Sequence, residues 1–91
     1  MKSKAKILVV DDNKGIRAAL EMLLPRFFAQ VEMLSSPKSL QSTIRELQPD
    51  VVLLDFFLPH LDAIGVIKSA YSRSLVHVPQ FMVMSGFDNP N

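Results

Sequence analysis

The chain has 91 residues, enough for one domain around one modest core. Hydrophobic residues make up 48% and the net charge is +1. Those values exclude a disordered tail and lack the basic footprint of a nucleic-acid binder. Cysteine is absent, which excludes disulfides and thiolate metal sites and leads us to expect a reducing, cytoplasmic compartment. The basic start, Met1-Lys2-Ser3-Lys4-Ala5-Lys6, is followed by only four apolar residues before two acids. That is too short for an export segment. No stretch approaches the roughly 20 apolar residues of a membrane helix.

Lys6 to Val10 is an apolar, β-branched run without alternation, the pattern of a buried strand. Asn13 can cap a following helix. Ile16, Ala19, Leu20, Leu23, Leu24 and Phe27 then recur on one helical face. Pro25 lacks a backbone donor, so this helix is expected to end or kink near Leu24. Gln30 to Leu34 alternates weakly as a second strand. Ser36-Pro37 has the form of a helix start, with a capping serine before a proline at the first helical position. Leu40, Ile44 and Leu47 form that helix's apolar stripe, and Pro49 stops it.

Val51 to Leu54 is the most apolar strand. Pro59 and Asp62 mark a loop and a cap, and Ile64, Ile67, Ala70 and Tyr71 place a third helix. Gly65 weakens its first turn. Val78 to Met84 is a fourth strand, and Ser85-Gly86 opens a loop-like tail. Strands alternating with helices predict an α/β fold: a parallel sheet with helices on both faces and ligands at the strands' carboxyl ends.

Asp11 and Asp12 end the first apolar run, and Asp55 ends the third. If those strands are neighbours, three carboxylates meet at one sheet edge and resist ionisation unless a cation joins them. Mg²⁺ is the simplest such cation, since it takes oxygen ligands and keeps waters that a phosphate can displace. His60 and His77 are isolated and make no metal site.

Four segments carry a resemblance. They are Ile7-Leu8-Val9-Val10-Asp11-Asp12-Asn13, Pro49-Asp50-Val51-Val52-Leu53-Leu54-Asp55, Leu58-Pro59-His60-Leu61-Asp62 and Met84-Ser85-Gly86. In order and spacing they resemble the receiver domain of bacterial two-component response regulators, over residues 1–91. The resemblance implies a flavodoxin-like sheet with strand order 2-1-3-4. It implies that Asp55 is the phosphoacceptor for a sensor histidine kinase or phosphotransfer protein. Asp11, Asp12, Asp55 and the Phe57 backbone carbonyl would hold Mg²⁺. Ser85 would bind a phosphoryl oxygen and act as the switch, and Gly86 would leave room for the phosphate. In full-length relatives, phosphorylation would control transcription through an output domain.

The chain departs from the family in two places. Ala63 stands where the family usually has glycine, and the chain stops after its fourth strand. The usual fifth strand with its lysine and the last helices therefore have no counterpart. Val78 to Met84 is then expected to be an exposed sheet edge, closed by homo-oligomerisation or a domain swap. Beyond its own phosphorylation and dephosphorylation, no enzymatic activity is expected. The missing lysine leaves one competing reading, a pseudo-receiver that binds proteins without phosphate. A metal-dependent phosphatase fits poorly, because no second acid follows Asp55 two positions on.

Overall fold

The computed structural model describes residues 3–55, 65, 67–68 and 78–84. Strand β1 covers Lys6–Val10, and helix α1 Lys14–Leu23. Strand β2 covers Gln30–Leu34, helix α2 Leu40–Leu47, β3 Val51–Asp55 and β4 Gln80–Met84. Three-residue 3₁₀ turns at Leu24–Arg26 and Pro37–Ser39 follow α1 and precede α2. Gly65, Ile67 and Lys68 are helical, in the region where the spacing places a third helix.

The strands form one sheet in the order β2-β1-β3-β4, and every neighbouring pair is parallel. The first crossover runs from β1 outward to β2, and the second returns past β1 to β3. With right-handed crossovers, α1 and α2 lie on opposite faces of the sheet. Strand alternation divides the core accordingly. Leu8, Val10, Val52 and Leu54 pack with Leu40 and Ile44 of α2, with Leu34, Leu47 and Phe81 at the margin. Ile7 and Val9 are buried on the other face. Each fully buried aliphatic side chain contributes roughly 1.5–3 kcal/mol, so the central strand is the main apolar anchor.

The punctuation residues act as expected in three places. Asn13 caps α1 through a 2.9 Å bond that its Oδ1 accepts from the Ile16 amide. Pro25 converts the end of α1 into a 3₁₀ turn. Pro49 follows Gln48, whose left-handed φ of 51° closes α2. Ser36 does cap a turn, but Pro37 opens a 3₁₀ segment, and the α-helix begins only at Leu40. The fourth strand begins at Gln80 and not at Val78, since Pro79 cannot donate to the ladder.

The α1 stripe is only partly covered. Ile16, Leu20 and Leu24 are half-buried, whereas Leu23 and Phe27 are 46% and 55% exposed. Ala19 is also exposed. The expectation of an exposed fourth strand holds for Met82 and Val83, but Phe81 turns inward against the core.

Polar links brace the amino-terminal edge of the sheet. The Asp50 carboxylate accepts from the Lys6 amide at 2.8 Å, and the Asp50 amide donates to the Lys6 carbonyl at 2.8 Å. The Asp50 carbonyl then accepts from Gln80 at 2.9 Å, so one residue joins the starts of β1, β3 and β4. Lys6 Nζ donates to the Leu47 carbonyl at 2.8 Å, placing a cation at the negative end of α2. Asp50→Ala leaves the half-buried Lys6 amide without its side-chain acceptor. The variant should lose about 1–3 kcal/mol of stability, read as a lower urea midpoint, with Asp50→Asn closer to the parent.

Candidate metal centre

The β1–β3 register pairs Val10 with Leu54, so the residues that leave these strands emerge side by side. Asp11 follows Val10 directly, and Asp55 is the last residue of β3. Asp11, Asp12 and Asp55 each offer a carboxylate oxygen within 4.8 Å of the others. This is the carboxyl edge of the sheet at the point where strand order reverses, which is where ligands bind in open parallel sheets.

The three acids are not equivalent. Asp11 is buried, at 1% exposure; Asp55 is half-buried; Asp12 is exposed. Three hydrogen-bonding groups of Asp11 are engaged. Its amide donates to the Leu34 carbonyl at 3.1 Å, and its Oδ1 accepts from the Asn13 amide at 2.8 Å. Its carbonyl accepts from Arg17 Nη1 at 2.9 Å. Gly15 leaves room for this loop, since a Cβ there would lie 3.3 Å from the capping Asn13 oxygen.

Burial pushes the Asp11 carboxyl above its ordinary value near 3.8, and the Asp55 and Asp12 charges push it the same way. The bond from the Asn13 amide and the Arg17 charge oppose that rise without cancelling it. The donor set therefore fits a hard cation: three oxygens at one point, carrying repulsion that a divalent ion would relieve. Phe57, Ser85 and Gly86 lie outside the described residues. Met84 pairs with Asp55 in register, so β4 also ends at this edge.

Arg17 was not singled out from sequence, and Asn13 was expected only as a helix cap. Arg17 grips the loop between β1 and α1, and Asn13 is both a helix cap and a donor to the buried acid. The available signal was an arginine one turn into the helix that starts at the acids.

Comparisons with known proteins identify the family and the fold. The family model described as response regulator receiver domain matches residues 7–91. The chain belongs to the response regulator receiver domain family. It is 34% identical to a crystallised response regulator signal receiver domain from Bermanella marisrubri, with a TM-score of 0.79. That match covers 96% of this chain and 72% of the other. It is 32% identical over 85 residues to a protein-glutamate methylesterase/protein-glutamine glutaminase of Anaeromyxobacter dehalogenans, covering 93% of this chain and 24% of that protein. It is 36% identical over 78 residues to the "Probable transcriptional regulator ycf27" of Guillardia theta, covering 86% of this chain and 31% of that protein. The chain thus spans between a quarter and a third of the length of these two relatives. Its sheet order 2-1-3-4 is that of the flavodoxin-like receiver fold. Among the described residues no helix is long and apolar enough to cross a membrane.

The Asp11 shift has a definite sign. Its folded-state pKa is raised, so the folded protein holds the Asp11 proton more tightly than the unfolded chain does. The contribution of Asp11 to stability therefore falls as pH rises from about 3.8 through the raised folded value, and is flat above it. Asp11→Asn keeps an acceptor for the Asn13 amide and removes the charge. In chelator at neutral pH the variant should melt at a higher temperature than the parent. The difference should close as pH drops below the ordinary carboxylate range; a parent that is the more stable one at neutral pH would contradict this electrostatic account.

Proposed function

We propose that this receiver accepts a phosphoryl group on Asp55 from the phosphohistidine of a sensor kinase or phosphotransfer protein. The observation that carries the reading is the convergence of Asp11, Asp12 and Asp55 at the carboxyl edge of a receiver-family sheet. A carboxylate is already ionised at neutral pH and needs no base to act as a nucleophile. One Asp55 oxygen forms a bond to phosphorus as the bond from phosphorus to the donor imidazole nitrogen breaks. The electron pair stays on the imidazole, and Asp55 becomes an acyl phosphate.

Asp11 and Asp12 would hold Mg²⁺ beside Asp55, with the Phe57 carbonyl as a further oxygen. When bound, the ion offsets the repulsion between the acids and the incoming phosphoryl group. Asp11 is held by three hydrogen bonds and supplies a fixed oxygen. Asp12 is exposed and would add a carboxylate oxygen accessible to solvent. Ser85 takes a phosphoryl oxygen and pulls its loop inward, which is the switch, and Gly86 leaves room for the phosphate.

The downstream role follows the relatives. One is named as a transcriptional regulator, which supports transcription control through an output domain as the outcome of phosphorylation. The protein acts in the cytoplasm, and residues 1–91 belong to one receiver-like domain, incomplete against the family pattern. The domain catalyses no reaction beyond its own phosphorylation and dephosphorylation. Exposed Met82 and Val83 on β4 support self-association, as a homo-oligomer or a domain swap.

Native mass spectrometry after incubation with Mg²⁺ and acetyl phosphate tests these points together. One phosphoryl adduct per chain is expected, absent from Asp55→Ala and absent in chelator. A folded parent that takes no adduct would sink the phosphoacceptor reading and leave a receiver that only binds proteins. The same spectrum counts the chains in the assembly.

A further inference from the structure

Arg17 stands apart from the acids it accompanies. It is half-buried on α1, yet its Nη1 reaches back over the helix start to the backbone carbonyl of Asp11 at 2.9 Å. The Arg17 amide also donates to the Asn13 carbonyl at 3.0 Å. Together with the bonds from the Asn13 amide to Asp11 Oδ1 and from the Ile16 amide to Asn13 Oδ1, this closes a ring of four hydrogen bonds. The ring encloses the turn that presents Asp11 and Asp12. Three of its four bonds are local to the helix cap. The guanidinium bond is the long one, tying the helix surface to the end of β1 across six residues.

From this ring we infer that Arg17 is a positioning residue for the metal centre, holding the Asp11–Asn13 turn so that the Asp11 and Asp12 oxygens face Asp55 before an ion arrives. The inference rests on the reading of the three acids as a Mg²⁺ site. It is distinct from the alternative role for a cation here, which is to dilute the negative charge. The two roles predict opposite signs. Removing a nearby positive charge, by itself, favours binding of a divalent cation. Removing a donor that holds a ligand's backbone weakens binding, and outer partners of metal ligands typically account for about 10–100-fold in affinity. Arginine suits the task because its charged donor makes a stronger bond to a carbonyl than a neutral one does.

The experiment is Mg²⁺ titration by isothermal calorimetry, with amide hydrogen exchange of the metal-free protein. Parent, Arg17→Met, Arg17→Lys and Asp12→Asn are compared. Arg17→Met should bind Mg²⁺ about tenfold more weakly, with faster exchange confined to the Asn13 and Ile16 amides. Arg17→Lys keeps a charged donor and should recover part of the loss. Equal or tighter binding by Arg17→Met would overturn the inference and make Arg17 a charge that opposes the ion. Weaker binding accompanied by faster exchange throughout β1 and β3 would also overturn it, by making Arg17 a prop of the whole fold. A parent and an Asp12→Asn variant that both fail to bind Mg²⁺ would instead refute the metal reading itself, and this inference with it.

Discussion

The register of β1 against β3 is the constraint on which the rest depends. Val10 faces Leu54, and both side chains are fully buried on the α2 face. A slip of one residue would turn a strand's apolar set outward, because side chains alternate with period two. The core therefore enforces the alignment, and the alignment sets Asp11 beside Asp55. At the opposite edge Asp50 holds the same strands through Lys6 and extends the hold to Gln80 of β4. Site geometry is thus an extension of core geometry: the acids meet because the apolar residues just before them pack.

The same arrangement puts function and stability in opposition. Three carboxylates meet on a sheet edge, and burial and mutual repulsion raise the pKa of the deepest one. A fold with no task at this edge would gain by replacing Asp11. Instead the surrounding loop spends a cap, a backbone amide and an arginine on keeping it in place. Interactions of that density around a destabilising group are consistent with the proposed site, since titrating groups perturbed by burial and like charge cluster at functional sites.

Much of this was legible in the residues. Unbroken apolar runs located β1 and β3, and β2 was recovered from weak alternation. Asn13, Pro25 and Pro49 marked the helix boundaries because their effects are local and need no tertiary partner. The acids were legible once the two runs were taken as neighbouring parallel strands. What escaped depends on other parts of the chain. The delayed start of α2 depends on how Pro37 and the residues after it settle before Leu40 packs on the sheet. The exposure of Leu23 and Phe27 depends on what lies over α1, which periodicity alone does not report. The Arg17 and Asp50 links run between side chain and distant backbone, so no spacing rule announces them.

The unequal burial of the acids gives each a different setting within one cluster. Asp11 is shielded from solvent and bonded through its amide, its carboxylate and its carbonyl, so it cannot swing to meet a ligand. It supplies a fixed negative potential and a reference point for the turn. Asp12, one residue on, is open to water. Asp55 sits between these extremes, half-buried at the end of a strand whose neighbours β1 and β4 run parallel on either side. The proposed phosphoacceptor thus has an intermediate setting. Its backbone pairs with Met84 of β4 and directly follows Leu54, which pairs with Val10 of β1, so its carboxylate has a defined origin.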